Sequence, residues 1–427
     1  MTEVDLRHGD CLEVLRDLPD NSVDSIVTDP PYALSNTKPA QVADVLAAWV
    51  TGDTEAVPAT KGGFMGKDWD SFVPPPAVWA ECLRVLKPGG HMAVFAGART
   101  QDLMGLSIRL AGFEIRDTLG WVYGSGFPKS MDVSKAIDKM KGAKREVVGK
   151  NPNHRAISGV GYEGIYQGGN TGAEDVTAPA TSEAAKWDGW GTALKPAIEP
   201  IILARKPLDG TVANNVLAHG VGGLNIDACR VPSDEITGWG GAGAGGGTWN
   251  SENMGLGKDG DARPVQGRFP ANVLLDEHAA KEMDKQSGVL KTGGGNRKSA
   301  VTDDHLYGNY NEGPDRFFPA NEGGASRFFP VFKYQAKAPK KERPVIVRED
   351  GTKVQHPTVK PLALMEWLVT LITPEGGTVL DPFAGTGSTL QAATNKGFNP
   401  IGIEADADYI QLINTRLEGG EQSTRNS

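Results

Sequence analysis

Two short stretches of this sequence carry residues whose types and spacing could do chemistry. The first is Asp29-Pro30-Pro31-Tyr32. Consecutive prolines fix the backbone and remove two N–H donors, leaving carbonyls free to accept. A carboxylate, a fixed carbonyl and an aromatic plate together suit a planar ligand bearing an NH2 group. The plainer reading is a strand that ends in a rigid turn. The second stretch is Asp381-Pro382-Phe383-Ala384-Gly385-Thr386-Gly387-Ser388-Thr389. Its glycines let a ligand approach the backbone, and a helix starting there would favour a carboxylate or phosphate at its N-terminus. Glu404 follows Asp381 by 23 residues (404 − 381), close to the spacing of roughly 20 at which an acid receives ribose hydroxyls. A Gly-Thr-Gly alone is a weak signal; strand, loop, helix, strand and acid in succession are a stronger one.

Both stretches need strands to present them. Residues 23–28 read as a buried strand that stops at Pro30-Pro31, preceded by a short helix around Leu12, Leu15 and Leu18. A helix from about Ala77 to Leu86 ends at Lys87-Pro88-Gly89-Gly90, and the strand from His91 to Ala96 follows at once. A helix near residues 102–111 and a strand near 114–122 continue the alternation. Residues 197–204 (AIEPIILA) read as one more core strand. Order resumes at Pro361, with Leu362, Met365, Leu368, Val369 and Ile372 on one helical face. Strand 378–380, the glycine loop, a helix to Asn395 and strand 400–403 complete the pattern. Strands alternating with helices predict an α/β fold, a doubly wound and mostly parallel sheet covered on both faces. Ligands then bind outside the carboxyl ends of the strands, where both motifs fall.

At 427 residues the chain exceeds one ordinary core, which predicts a large domain with insertions. The core is expected at residues 1–140, 191–206 and 355–418, with insertions at 141–190 and 207–354 and a disordered tail at 419–427. The net charge is -9, from 44 basic and 53 acidic residues, which argues against a chain-wide grip on nucleic acid and leaves a local patch to hold phosphate. Two basic runs qualify, Lys129 to Arg155 and Lys333 to Lys360, although such runs are often just solvated faces. Arg268-Phe269-Pro270 is echoed at Arg316 and at Arg327; three uneven copies make no solenoid. Residues 238–247 are glycine-rich and of low complexity. Cys11, Cys82 and Cys229 are odd in number and far apart, giving no disulfide framework or metal spacing, so no metal is expected. The N-terminal residues lack an apolar signal region, and the longest apolar run, 362–372, is too short for a bilayer. A soluble, cytoplasmic protein is expected.

Together the motifs resemble the amino-methylating DNA methyltransferases of the permuted β group, in which the catalytic motif precedes the cofactor motif. The resemblance covers about residues 1–140, 191–206 and 355–418. It implies the Rossmann-like fold of enzymes dependent on S-adenosyl-L-methionine, with Asp29, Pro30, Pro31 and Tyr32 binding the target amine. It implies that Asp381, Phe383, Gly385, Gly387 and Ser388 hold the methionine part of the cofactor, with Glu404 on its ribose. His356-Pro357-Thr358-Val359-Lys360-Pro361 is similar to the family's element before that loop, which places Thr358 and Lys360 near the cofactor. Gly9-Asp10-Cys11 is similar to the element that contacts its adenine, with Asp10 on the amino group. Trp69 and Trp121 are similar to less specific elements near the substrate, and core packing accounts for them equally well.

The resemblance further implies double-stranded DNA as partner, methylation of adenine N6 on a flipped-out base, and base reading within residues 207–354. It is compatible with a homodimer and with a partner restriction nuclease. Cytosine N4 presents the same amine and stays open, although relatives acting there usually carry Ser where Asp29 stands. RNA or protein amides, and a DNA-binding module without catalysis, are further readings; failure to bind the cofactor would favour the last.

Overall fold

The computed structural model describes residues 3–33, 37–58, 70–124, 126, 130–151, 175–239, 263–292, 295–297, 316–318, 321–332, 344–348, 350–351, 353–355 and 359–424. Among these, nine strands form a central sheet. In chain order they are β1 (Asp5–His8), β2 (Val23–Thr28), β3 (Leu86–Phe95), β4 (Glu114–Val122), β5 (Ile198–Arg205), β6 (Val273–Asp276), β7 (Val331–Phe332), β8 (Thr378–Asp381) and β9 (Asn399–Glu404). Their order across the sheet is β1-β9-β8-β2-β3-β5-β4-β6-β7. From β1 to β3 neighbours are parallel, and β5 then runs antiparallel to β3. This is the doubly wound, mostly parallel α/β sheet that the alternation predicts.

β2 is buried at all six positions, as a strand covered on both faces must be. The helix Leu362–Ile372 buries Leu364, Met365, Leu368, Val369, Leu371 and Ile372 on one face of the sheet, against Val27, Ala93 and Ile201. Helices Cys11–Arg16, Pro76–Val85 and Gln101–Leu110 cover the other, around Trp79, Leu15 and Met104. Each such Leu, Ile, Val or Met side chain contributes roughly 1.5–3 kcal/mol of hydrophobic stabilisation. Polar ties add to this: Asp24, buried in β2, pairs with Lys87 at 2.5 Å and accepts the Thr378 N–H at 2.7 Å. The strand β8 is thereby registered against β2 from its first residue.

Several expectations meet differences. Lys87-Pro88-Gly89-Gly90 does not lie outside the strand, because β3 begins at Leu86 and absorbs the four residues in a register irregularity against β2. A helix, Pro39–Thr51, lies in a segment with no predicted element. Residues 207–354 are not wholly external: they supply β6 and β7 to the central sheet. The chain divides into two compact units, one of residues 1–123 and 199–427, the other Gly124–Ile198, so the first insertion is wider than residues 141–190. Residues 419–424 of the expected tail instead prolong the helix Ala407–Thr424. The second unit holds the antiparallel pair Glu146–Lys150 and Asp175–Ala178 beside helix Val133–Met140. At its centre buried Asp138 takes Arg145 at 2.7 Å, the N–H groups of Ala180 and Thr181, and the Thr181 hydroxyl. Among the described residues no helix is long and apolar enough to cross a membrane.

Candidate active site at the strand ends

Four neighbouring strands deliver an acid to the same edge of the sheet. Asp10 follows β1, Glu404 ends β9, Asp381 ends β8 and Asp29 follows β2. The two motifs are tied directly, since the Thr28 hydroxyl donates to Asp381 Oδ1 at 2.6 Å across 353 residues of sequence. That bond, with the pairing of Val379 to Ser25 and Leu380 to Ile26, sets the Asp29-Pro30-Pro31-Tyr32 tetrapeptide beside the glycine loop. Asp381 is 2% exposed. Burial pushes its carboxyl up to about 6, against the pull of the Thr28 and Thr389 hydroxyls and the Phe383 N–H.

The glycine loop is shaped by left-handed backbone. Gly385 has φ +54° and Gly387 φ +73°, a region costly to residues with a Cβ. A Cβ on Gly387 would also lie 3.0 Å from Ile413. Gly387 caps the helix Ser388–Asn395 without a side-chain hydrogen bond, so the first N–H groups of that helix are left to other partners. Glu404 Oε2 accepts the Gly385 N–H at 2.8 Å and Oε1 the Asp406 N–H at 2.9 Å. Burial still pushes its carboxyl up to about 7, beyond what those two amides offset. Each oxygen retains a lone pair, and ligand hydroxyls donating there would stabilise the ionised form. The loop therefore fits a ligand with neighbouring hydroxyls and a carboxylate.

At the tetrapeptide, the Tyr32 hydroxyl donates to Asp29 Oδ1 at 2.5 Å, and the Tyr32 N–H donates to Asp70 at 2.7 Å. The Tyr32 carbonyl accepts from the Thr100 hydroxyl at 2.6 Å. The ring is thus fixed at hydroxyl, N–H and carbonyl, and burial together with the Asp29 charge holds its hydroxyl well above the usual range. Lys360 Nζ lies 2.8 Å from Asp29 Oδ2, 3.2 Å from Glu199 Oε2 and 3.0 Å from the Tyr32 hydroxyl. Its ammonium also sits over the Phe95 ring, 4.8 Å from the centroid. Desolvation alone would lower its pKa, but Asp29 and Glu199 together raise it, so Lys360 is charged.

The residues singled out by sequence are distributed as follows. Asp29, Pro30, Pro31, Tyr32, Lys360, Asp381, Gly385, Gly387 and Glu404 gather at the strand ends. Asp10 caps helix Cys11–Arg16 by accepting the N–H groups of Leu12 and Glu13, using one oxygen, Oδ1. Cys11 and Phe383 pack on the core, and burial pushes the Cys11 thiol up to about 12, which keeps it neutral. Ser388 is buried at the start of its helix. Trp121 is a core residue, edge-on to Phe332 at 5.9 Å. Thr358 and Trp69 lie outside the described residues. Sequence reading missed Thr28, Asp70 and Glu199. Only Glu199 left a trace, as an acid followed by proline inside an apolar strand.

The family model described as DNA methylase matches residues 23–154 and 246–415. The type II methyltransferase M2.DpnII of Streptococcus pneumoniae is 39% identical over 69 residues, 16% of this chain and 26% of that protein. M.BglI of Bacillus subtilis is 46% identical over 63 residues, 15% of this chain and 18% of its own. The chain thus matches about a quarter or less of the length of these curated relatives. Among solved structures, the cytosine-N4-specific PvuII DNA methyltransferase aligns over 97% of this chain and 86% of its own, at 13% identity and TM-score 0.42. The M1.HpyAVI–SAM complex aligns over 97% and 100%, at 15% identity and TM-score 0.37.

Proposed function

Because this chain belongs to the DNA methylase family, we propose that it transfers a methyl group from S-adenosyl-L-methionine to an exocyclic base nitrogen of double-stranded DNA, adenine N6 being the target. The observation that carries this reading is the Thr28–Asp381 bond. It joins a carboxylate suited to an amine to a glycine loop suited to the methyl donor, on adjacent strands. Glu404 would hold the ribose hydroxyls, Asp10 the adenine, and the helix N-terminus at Gly387–Ser388 the carboxylate. Bound there, the cofactor supplies an electrophilic sulfonium methyl.

The chain's own residues prepare the nucleophile. An exocyclic base amine is a poor one, its lone pair being delocalised into the ring. Asp29 and the Pro30 carbonyl would accept hydrogen bonds from its two N–H groups and favour a pyramidal nitrogen with an available lone pair. Once it carries the methyl, the nitrogen sheds one of those protons, and a neutral thioether is left behind. Positioning and electrostatics then carry the catalysis, and no cysteine is needed as a nucleophile. The amine lies inside the duplex, so the base must be flipped out, with the fixed Tyr32 ring as its stacking plate. Adenine is favoured over cytosine by Asp29 itself, since cytosine-N4 enzymes of the resembling family usually carry Ser there. Base reading is assigned to residues 207–354, around the strands that they add to the sheet.

The test is incubation of the protein with duplex DNA and methyl-labelled cofactor, followed by mass analysis of the nucleosides. N6-methyladenine is expected. N4-methylcytosine would reassign the base, and unmodified DNA with bound cofactor would sink the catalytic reading.

A further inference from the structure

Two carboxylates and one ammonium share a half-buried site: Asp29, Glu199 and Lys360, whose side chains are 24%, 29% and 10% exposed. Lys360 stands between them, and Asp29 Oδ1 is further engaged by the Tyr32 hydroxyl. This arrangement poses a problem for alkylation of an amine. Positive charge grows on the nitrogen as it is methylated, and the carboxylate beside it must be free to stabilise that charge. An ammonium 2.8 Å from Asp29 cancels much of that field. A lysine with only a tenth of its side chain exposed cannot simply be released either, because an unpaired charge in such surroundings is costly. Glu199 resolves both difficulties. It lies at the start of β5, and because β5 is antiparallel to β3 its start reaches the edge where the parallel strands end.

Resting on the DNA methyltransferase reading above, we infer that Glu199 is a positioning residue for catalysis: it draws the Lys360 ammonium off Asp29 when the target amine arrives. Two carboxylates against one ammonium leave the cluster with net charge −1, matched to the growing positive charge on the amine. With Glu199 neutral the same cluster is net zero, and Asp29 is left as the sole counter-ion of Lys360. Tyr32 moves with this balance, since its hydroxyl touches both Asp29 and Lys360. The role concerns charge, so it separates from packing by substitution.

The experiment compares single-turnover methylation at saturating cofactor and DNA in the parent, Glu199→Gln, Glu199→Asp and the double variant Glu199→Gln/Lys360→Met. Cofactor affinity and thermal midpoint are measured on each. Glu199→Gln keeps a hydrogen-bond acceptor but loses the charge. Its rate should fall on the order of a hundredfold, with cofactor affinity within threefold and an unchanged midpoint. The double variant restores net charge −1 and should recover at least tenfold over Glu199→Gln, a rescue that a structural role would not give. Glu199→Asp should lie closer to the parent than to Glu199→Gln. Independently of activity, the Lys360 ammonium, followed by NMR with 13C at Cε, should titrate at lower pH in Glu199→Gln than in the parent. A Glu199→Gln rate within threefold of the parent would overturn the inference, as would a double variant no faster than the single or equal losses in the Asp and Gln variants. A parent that methylates no DNA would instead overturn the functional reading, and the NMR titration would still report on the cluster.

Discussion

At Asp29 and Glu404 two carboxylates on nearby strand ends are assigned different tasks, and substitution should separate them. On the proposed assignment, Asp29→Ala removes the acceptor for the amine while leaving the glycine loop intact. Methylation should drop by on the order of a thousandfold, with cofactor affinity by calorimetry within a few-fold; a lost isotherm would move Asp29 into the cofactor site. Glu404 brings pH into play. Its carboxyl stands at about 7 without ligand, and on the proposed assignment ribose hydroxyls would donate to its ionised form. Cofactor affinity should therefore rise as pH is raised from 6 towards 8 and level off above, by at most about tenfold per unit below the plateau. Glu404→Gln should flatten this profile and cost about 1.5–3 kcal/mol at pH 8; a Gln variant with the parent's profile would place the ribose elsewhere. These two acids were legible because each closes a recognisable local motif. Glu199 and Asp70 were not, because their partners, Lys360 and Tyr32, are 161 (360 − 199) and 38 (70 − 32) residues away. Only the folded sheet pairs them.

Among the elements, β2 and β8 could be read because both are short runs holding several β-branched residues and closed by Asp-Pro. β7 could not, since two residues, Val331–Phe332, offer no period to detect, and β6 is embedded in a glycine- and charge-rich stretch. The Lys87-Pro88-Gly89-Gly90 segment misled for a physical reason. Helix-stopping chemistry also serves a strand that begins irregularly, and Gly89, at φ +76°, tolerates either. The join between β2 and β8 can be tested by itself. Thr28 is fully buried, and Thr28→Val removes the hydroxyl that satisfies Asp381. Leaving that buried acceptor one donor short should lower unfolding stability by about 1–3 kcal/mol, measured by denaturant titration. The same change should raise the Asp381 pKa above its present value near 6, since a donor to the ionised form is lost. A variant as stable as the parent would mean that the Thr28–Asp381 bond adds nothing to what already joins the two strands.

For the molecule as a whole, the basic runs prove less uniform than their sequence suggests. Arg145 is spent on buried Asp138, Lys141 on Glu183 and Lys150 on Asp175, while Arg348 pairs with Asp408. Lys139 and Lys144 are exposed and have no carboxylate partner among the described residues. The Arg-Phe-Pro echoes are similarly occupied in part: Arg268 donates to the Arg327 carbonyl, and Arg327 donates to Asn321, Gly323 and Gly324. Both stack on Phe328, which marks them as turn-holding residues. Replacing Lys139 and Lys144 together by Gln should weaken DNA binding for all sequences and reduce the salt slope by up to about 0.9 for each phosphate that is no longer neutralised. An unchanged slope would take phosphate binding away from the Val133–Met140 helix. One consequence of the strand order concerns time rather than space. A growing chain emits β2 first and its partner β8 only some 350 residues later, because Thr28 and Asp381 stand 353 apart. At roughly 5–20 residues per second, that wait is about 20–70 s, during which β2 lacks the neighbour that completes the site. A ribosome-arrested chain ending before Thr378 should bind no cofactor, and the proposed activity would then begin only once the last strands have emerged.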